Sequence, residues 1–357
     1  MIESRQPEEP LEPSLPGQPP PRQASPPAPP ATADLPAPLP PPEPAPAPAG
    51  WRASGLWAWL QLFRVPNLLT VPGDAIAGFL LAQAAGLSAP RPHLQLALAG
   101  AVSLLIYAAG LLWNDWFDLP EDFRDRPSRP LPSGRVRTGQ AALVACLLAA
   151  ASIAVAAAAG TTTFWVALAL AGLVLAYDMA LKRVPLVGPL AMGSCRGLSV
   201  LVGAAALGAD GLTRAPVIAA AAGITLYVAA VTWLARGETR QRDVTIHLLA
   251  IAAAFAAWLA AVAATLLAAG AVEGQWRLAM LMPAALAGLW VAGCLAALGR
   301  EPQPRLVQRT VGGLIRGIIL VQAALVLAGG WTGLTISIGL MACFLLNRRL
   351  GRLFYAS

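Results

Sequence analysis

The chain has 357 residues, of which 57% are hydrophobic and 12% charged, and its formal net charge is +7. A mean hydropathy of +0.62 excludes an ordinary soluble domain and predicts an integral membrane protein in contact with the lipid bilayer. The high pI of about 9.9 does not indicate nucleic-acid binding, because the basic residues lie in short gaps between apolar runs, as membrane topology predicts. We therefore expect an all-α, polytopic membrane bundle with no nucleic-acid partner.

Residues 1–50 differ in composition from the rest of the chain. They hold 19 of the 33 prolines and contain no apolar run that could serve as the core of a signal peptide. This composition predicts a disordered tail that is partly polyproline II. We therefore divide the chain into a proline-rich tail, 1–50, and a membrane domain, 51–357.

The membrane domain begins with a short predicted interfacial helix, 54–63, whose Trp57 and Trp59, with Trp51 before it, would lie at the headgroup level. Ten apolar runs follow, each near the ~20 residues that a bilayer requires. Their predicted bounds are 66–87, 94–117, 138–159, 162–181, 187–208, 216–236, 245–270, 277–299, 307–328 and 331–347. The last run is the shortest and could be re-entrant, so we expect nine or ten transmembrane helices.

Basic residues in the gaps between these runs predict the orientation. The gaps after the even-numbered runs hold 16 Lys and Arg residues, whereas the alternate gaps hold three, Arg91, Arg214 and Arg277. By the positive-inside rule, the first set of gaps and the proline-rich tail are cytoplasmic. The expected location is a bacterial cytoplasmic membrane.

The most charged gap begins with a row of polar residues at 114–122. Asn114, Asp115, Asp118 and Asp122 are spaced one, three and four residues apart, which puts them on one face of a helix. Carboxylates crowded at a membrane edge repel each other unless a divalent ion lies between them, and Mg²⁺ prefers carboxylate oxygens while leaving positions for phosphate. The row therefore predicts a metal–diphosphate site, with a solvated cytoplasmic loop as the alternative.

The row and its continuation resemble the signature of the UbiA superfamily of intramembrane prenyltransferases. The four residues match the family pattern N-D-x-x-D-x-x-x-D and are followed by the Arg-Pro-Leu-Pro-Ser-Gly segment, 129–134. Further matches are Arg64, Pro66 and Asn67 at the start of the first run, and Tyr177 with 181–183 at the end of the fourth. The resemblance covers about 60–350. It implies a helical bundle around a central cavity that holds Mg²⁺ and an isoprenyl diphosphate, whose isoprenyl group is transferred to a lipophilic, often aromatic, acceptor.

The resemblance also implies roles for individual residues. Asp115, Asp118 and Asp122 would be metal ligands and, with Lys182, catalytic residues. The residues expected to bind the diphosphate are Asn114, Arg126, Arg129, Lys182, Arg183 and Arg196. Arg196 lies inside an apolar run, where an unpaired cation is costly, so it should face a phosphate or a carboxylate.

Other residues are expected in the cavity. Asn67 and Tyr177 are predicted to line it or to contact the acceptor. The aromatic candidates for shielding an allylic cation are Tyr107, Trp113, Tyr177, Tyr227 and Trp233. Neither the two histidines nor the four cysteines have a partner at metal-ligand spacing, so they predict no further metal site and no disulfide.

The chain departs from the family after the sixth apolar run, where a second aspartate-rich pattern is expected. Only Glu238 and Asp243 are acidic there, five residues apart, and arginines lie around them. They are weak candidate ligands for a second metal ion, because this spacing aligns two side chains on a helix poorly. Either arginines take over the neutralisation of the diphosphate, or the activity is altered or lost.

Two alternatives remain open from the sequence. In the first, the protein is a transporter or a catalytically silent scaffold, and Arg196 and Arg316 line a path for an anionic lipid or solute. In the second, it is an enzyme whose acceptor is a sugar or lipid hydroxyl instead of an arene. The shape of the cavity, which no motif reveals, decides between acceptors.

Overall fold

The computed structural model describes residues 54–236, 241–268, 270, 272–298 and 303–354, and the predicted tail lies outside them. Within these ranges the chain is almost entirely helical and contains no strand, as the composition predicts. The α-helices are α1 (Gly55–Leu62), α2 (Val65–Leu68), α3 (Pro72–Ala84), α4 (Pro92–Phe117), α5 (Leu119–Asp125), α6 (Thr138–Ala159), α7 (Thr161–Met179), α8 (Val187–Ala205), α9 (Ala215–Arg236), α10 (Gln241–Ala268), α11 (Gly274–Leu298), α12 (Pro304–Leu325) and α13 (Gly330–Phe354). Short 3₁₀ turns follow α7, α8 and α12.

Within the described ranges, nine helical segments are long and apolar enough to cross a membrane. Eight of them coincide with the first eight predicted runs, and the first segment joins α2 to α3. Helices satisfy every backbone hydrogen bond inside one segment, which is why apolar length alone predicts them well. The prediction of an integral membrane protein is confirmed.

The ninth segment, Leu306–Leu350, spans 45 residues and combines the last two predicted runs. As a single straight helix it would be about 65 Å long, roughly twice the thickness of the hydrocarbon core. The chain instead turns at Gly330, whose φ is +64°, and α13 returns along α12, where the Ser337 hydroxyl donates to the Ala323 carbonyl at 2.8 Å. The segment is therefore a hairpin, and α13, with 25 residues, is long enough to cross the membrane by itself.

Glycines bring α8 into backbone contact with its two main neighbours. A Cβ atom at Gly203 would overlap the Ala75 carbonyl of α3, and a Cβ atom at Gly193 would overlap the Thr225 carbonyl of α9. Gly188, Gly193 and Gly197 all allow close packing, because each has a neighbour within the space of a side chain. Helix α8 thus forms the centre of the bundle.

This packing predicts a loss of stability for Gly193→Ala. The added methyl group must push α8 away from α9, at a cost of about 1–3 kcal/mol. Gly172→Ala is the matched control, because Gly172 lies within α7 with no atom within 4 Å of its Cβ position, and alanine favours a helix by about 0.5–1 kcal/mol. Thermal unfolding in detergent should show a lower midpoint for Gly193→Ala only; equal midpoints for the two variants would contradict the close approach.

The first helix forms where it is predicted, but its tryptophans differ from expectation. The Ser54 hydroxyl caps α1 by accepting from the Trp57 amide at 3.2 Å. Trp57 is buried, not exposed at a headgroup surface, because α1 packs against protein: Ala58 and Leu62 join an apolar cluster that includes Leu112. Trp59 is half-buried and stacks on Phe63, and Trp51 lies outside the described residues.

Candidate active site

The predicted acidic row spans the junction of two helices. Asp118 both ends α4 and begins α5, and the helical hydrogen bonds continue through it, from the Asp118 amide to Asn114 and from the Asp122 amide to Asp118. The predicted spacing along one side is therefore kept. Asp115 and Asp122 are buried, with 7% and 3% exposure, which excludes the alternative of a solvated loop for these two carboxylates.

Each aspartate of the row is paired with its own cation. Asp115 lies 2.6 Å from the Arg64 guanidinium, Asp118 lies 2.6 Å from the Lys182 ammonium, and Asp122 lies 2.7 Å from the Arg129 guanidinium. The cations come from three separate segments, the turn before α2, the 3₁₀ turn after α7 and the loop after α5. The three shortest ion pairs of the site thus join three carboxylates to three cations.

Two further predicted residues border this network. The Asn114 amide lies between Lys182, whose ammonium donates to its oxygen at 3.4 Å, and Asp115, to which it donates at 3.5 Å. Arg126 lies 3.9 Å from Asp122 and has a largely exposed side chain. Arg183 is exposed and, among the described residues, forms no ion pair, so the structure does not bring it to the aspartates.

The Arg-Pro-Leu-Pro-Ser-Gly segment holds Arg129 in place. Its Leu131 is buried in the apolar cluster beneath α1, and Gly134 has the positive φ of +73° that the turn requires. Arg135 then fixes the loop from outside by donating to the Gln61 side chain at 3.0 Å and to the Ser128 carbonyl at 2.8 Å. The motif therefore acts as a scaffold for one of the three cations.

Lys182 is held in a comparable way. The 3₁₀ turn that carries it receives hydrogen bonds from Arg236 at the end of α9, which donates to the Val184 carbonyl at 3.0 Å and to the Lys182 carbonyl. The lysine side chain is mostly buried, with 11% exposure. The hydrogen bonds from Arg236 to the turn and the burial of the side chain therefore both fix the orientation of Lys182 toward Asp118.

Arg64 is a site residue that the sequence indicated only as a landmark of the family. Its backbone adopts a left-handed conformation with φ of +44°, which costs energy for a residue with a side chain. Local contacts hold this conformation, since the Asn67 amide donates to the Arg64 carbonyl at 2.6 Å and Asn347 of α13 donates to the Pro66 carbonyl. The bend directs the guanidinium to Asp115.

A central cavity of about 130 Å³ opens beside this charged network. Arg64, Asn114, Tyr177 and Asp178 line its polar end, and the side chains that form its apolar walls include Val71, Ile106, Leu111, Leu170, Val174 and Met192. Ser103 and Ser199, which hydrogen-bond to each other, line the far end. Because Asn114 and Ser103 are 11 residues apart on α4, the cavity extends about 16 Å into the bundle.

The structure places some of the predicted cavity residues in the cavity wall and others elsewhere. Tyr107 and Tyr177 line the cavity, whereas Asn67, on α2, is not among its lining residues, although Arg64 before it and Val71 after it are. The role of Asn67 toward the cavity or the acceptor stays a prediction. Trp113 packs against the cluster beneath α1, away from the cavity.

Two other aromatic candidates also lie elsewhere. Tyr227 is buried between helices, where its hydroxyl donates to the Leu314 carbonyl at 3.0 Å, and Trp233 packs against His247 with ring centres 4.3 Å apart. Neither ring can shield a cation in the cavity. Packing partners from distant parts of the chain decide both positions, so the sequence could not reveal them.

Arg196 also lines the cavity, where it has a protein partner. It is buried, and its guanidinium lies 2.8 Å from the Asp74 carboxylate of α3 and donates to the Thr70 carbonyl at 2.6 Å. Gln322 of α12 donates to the same carboxylate at 2.6 Å. The sequence correctly predicts a phosphate or carboxylate partner, but that partner is a protein carboxylate, so the charge of Arg196 is already neutralised without a diphosphate.

The arginines expected to line a transport path are thus both engaged. Arg196 forms the pair with Asp74, and Arg316 donates to the Gly312 carbonyl of its own helix at 2.9 Å. Asp74 itself was missed by sequence reasoning. A single acidic residue in the first apolar run is the signal that could have revealed it, because such a residue needs a buried partner.

The predicted metal ligands Asp115, Asp118 and Asp122 lie near one another, but each forms an ion pair with an arginine or a lysine. Within the described residues no group of three or more His, Cys, Asp or Glu side chains is arranged to hold a metal ion. Glu238 lies outside the described residues, and so does the side chain of Asp243. The donor chemistry of the acidic row nevertheless suits Mg²⁺, because hard carboxylate oxygens on successive turns are the ligands that this ion prefers.

Comparison with known proteins identifies the family of this chain. The model of the UbiA prenyltransferase family matches residues 74–311, which are two thirds of the chain. The chain belongs to the UbiA prenyltransferase family. The match includes α4, α5, α7 and α8, which carry the acidic row and most of the cavity wall.

Curated relatives in this family are similar over about half of the chain. The digeranylgeranylglyceryl phosphate synthase of Methanosarcina mazei is 33% identical over 174 residues, which are 46% of this chain and 60% of the relative. The protein of the same name from Methanoculleus marisnigri is 32% identical over 178 residues, which are 50% of this chain and 58% of the relative. The chain thus matches less than two thirds of the length of either relative.

Solved structures of UbiA proteins share the fold. A UbiA homologue from Aeropyrum pernix K1 superposes with a TM-score of 0.53 at 20% identity, covering 77% of this chain and 98% of that one. A structure from work on digeranylgeranylglyceryl phosphate synthase in membranes gives a TM-score of 0.54, also at 20% identity, over 77% of this chain and 99% of that one. The predicted class, an all-α membrane bundle around a central cavity, is confirmed.

Proposed function

We propose that the protein is a Mg²⁺-dependent prenyltransferase that moves an isoprenyl group from an isoprenyl diphosphate to a lipophilic acceptor within the membrane. One observation carries this proposal: three aspartates, each paired with a cation, lie beside a largely apolar cavity whose polar end is lined by Arg64, the partner of Asp115. An isoprenyl diphosphate has the same polarity, since its head is anionic and its tail is a hydrocarbon. Membership in the UbiA prenyltransferase family supports the same activity.

The paired charges suit an exchange of partners when the donor binds. Arg64, Arg129 and Lys182 can turn from the aspartates to phosphate oxygens, which are equally good partners for guanidinium and ammonium groups. The released carboxylates of Asp115, Asp118 and Asp122 are then the residues that would hold Mg²⁺. When bound, Mg²⁺ supplies Lewis-acid stabilisation of the negative charge that develops on the diphosphate leaving group.

The chain's own residues have further tasks in this reaction. The three cations stabilise the diphosphate more strongly as the allylic C–O bond breaks, because negative charge accumulates there in the transition state. The apolar walls hold the isoprenyl chain and exclude water from the allylic carbon. Tyr107 and Tyr177 line the cavity and offer aromatic faces to a developing cation.

The names of the curated relatives support a lipid hydroxyl acceptor. Digeranylgeranylglyceryl phosphate, the product for which they are named, carries two isoprenyl groups on a glyceryl phosphate. We therefore favour an alcohol of a lipid over an arene as the acceptor. We also propose that the charged end of the cavity faces the cytoplasm, on the basis of the Lys and Arg distribution; a bacterial membrane stays a prediction, and the relatives named above are archaeal.

The test uses purified protein in nanodiscs and radiolabelled isoprenyl diphosphates of several chain lengths. Binding and turnover are measured with and without Mg²⁺, and Asp115→Ala is the control. This variant removes the carboxylate that lies 2.6 Å from Arg64, and Arg64 can then contact phosphate without Mg²⁺. The informative quantity is therefore the part of the binding that depends on Mg²⁺. We expect that part to disappear in Asp115→Ala. If no chain length binds to the wild type above this background, the prenyltransferase proposal is wrong, and a transporter or scaffold becomes the better explanation.

A further inference from the structure

Asp178 is a buried carboxylate that the proposed exchange of charges does not use. It lies in the last turn of α7, beside Tyr177, and lines the polar end of the cavity. Its exposure is 2%, and its Oδ2 atom has no hydrogen-bond partner. Among the described residues it forms no ion pair, in contrast to the three aspartates of the acidic row.

Burying a carboxylate without a hydrogen bond or an ion pair is costly, so its presence needs an explanation. The charged groups that act on Asp178 are Lys182, Asp118, Arg64 and Asp115. The two cations in this group are already engaged, Lys182 with Asp118 and Arg64 with Asp115, each at 2.6 Å. Asp178 therefore does not form part of the ion pairs that join the acidic row to its cations. A role toward a bound molecule explains its position better.

The proposed reaction has one requirement that the acidic row does not meet. When an alcohol attacks the allylic carbon, its hydroxyl proton must move to a base. Among the described residues that line the cavity, Asp178 is the only carboxylate, and the other ionisable residues there are Arg64, Tyr107, Tyr177, Cys195 and Arg196. None of these is a proton acceptor in its usual state, because arginine, tyrosine and cysteine hold their protons at neutral pH.

We propose that Asp178 is the general base that takes the proton of a hydroxyl acceptor, an inference that rests on the proposed function. The allylic C–O bond breaks, and its electron pair leaves with the diphosphate. A lone pair of the acceptor oxygen forms the new C–O bond, the O–H electron pair stays on that oxygen, and the proton moves to the Asp178 carboxylate. Release of the proton to water returns Asp178 to its starting state.

The decisive variant is Asp178→Asn, which keeps the shape of the side chain and removes the base. Geranylgeranyl diphosphate is the donor, and geranylgeranylglyceryl phosphate is the hydroxyl acceptor. Three quantities are measured: Mg²⁺-dependent donor binding, exchange of ¹⁸O between bridging and non-bridging positions of the donor, and product formation. The exchange reports C–O cleavage without transfer, so it separates ionisation from proton removal.

We expect product formation to fall by about 10²–10⁴-fold, the usual contribution of a general base. Donor binding and isotope exchange should stay within about twofold of the wild type, and Asp178→Glu should recover part of the transfer. Asp210→Asn is the matched control, because Asp210 is an exposed carboxylate in the 3₁₀ turn after α8. The melting temperature of Asp178→Asn should not fall, since a buried charge without an ion pair is removed.

Other outcomes separate this inference from the proposed function. Wild-type protein that neither binds the donor nor forms product overturns both. If the wild type is active and Asp178→Asn forms product at the same rate, only the role of Asp178 is wrong. Equal losses of isotope exchange and product formation would assign Asp178 to cleavage of the donor, and a lower melting temperature would assign it to the fold; either result also overturns the general-base role.

Discussion

Replacing Asp122 by asparagine should lower Mg²⁺-dependent turnover of an isoprenyl diphosphate by about 10²–10³-fold, a loss typical for the removal of one preorganised charge from an active site. The same substitution at Asp125, three residues further along α5, should change turnover by less than about twofold. Asp122 is 3% exposed and lies 2.7 Å from Arg129, whereas Asp125 is exposed and has no ion pair among the described residues. The two variants therefore make the same substitution, one at a buried, paired aspartate and the other at an exposed aspartate.

The mechanism of the loss can be read from two measurements. If Asp122 helps to hold Mg²⁺, the Mg²⁺ concentration required for half-maximal turnover should rise in Asp122→Asn, and excess Mg²⁺ should recover part of the activity. If the residue only orients Arg129, turnover should fall without a change in the Mg²⁺ requirement. Asp125→Asn protein that loses activity to the same extent would show that the whole acidic helix, and not the paired position, matters.

Sequence reasoning predicted the centre of this site because the signal is local. Asp115, Asp118 and Asp122 lie within eight residues, and their spacing places them on one side of a helix whether or not α4 continues into α5. The transmembrane segments were predictable for a similar reason, since apolar length is a property of each segment alone. Only the hairpin of α12 and α13 needed the structure to show two crossings.

The partners of the site could not be predicted in the same way. Arg64 reaches Asp115 across 51 positions of sequence, and the contact depends on a left-handed backbone that no residue-type preference indicates. The sequence does not indicate that Asp178 is buried at the site, because a carboxylate beside a cationic turn is expected to be solvated. Its burial follows from how α7 packs against α4 and α8. Trp57 and Tyr227 were misplaced because burial of an aromatic ring depends on distant neighbours.

Arg196 is the predicted residue whose interaction partner differs most clearly between the sequence-based prediction and the structure. Arg196→Met should destabilise the protein strongly, by about 3–5 kcal/mol, because it leaves Asp74 buried without its cation. Adding Asp74→Asn should restore most of the stability, since the asparagine oxygen can still accept the hydrogen bond that Gln322 donates to Asp74 at 2.6 Å. Thermal unfolding in detergent of the wild type, both single variants and the double variant measures the coupling directly.

The double variant also decides between the two roles of Arg196. If the guanidinium binds the diphosphate, as the sequence predicted, the restored protein should bind isoprenyl diphosphate at least tenfold more weakly than the wild type. If its partner is Asp74, as the structure shows, Mg²⁺-dependent donor binding should stay within about threefold of the wild type. We expect the second result, because Arg196 is 7% exposed and already has a carboxylate at 2.8 Å and a carbonyl at 2.6 Å. A phosphate could attract this guanidinium only by breaking the buried pair and leaving Asp74 charged inside the membrane, which costs more than one additional phosphate contact provides.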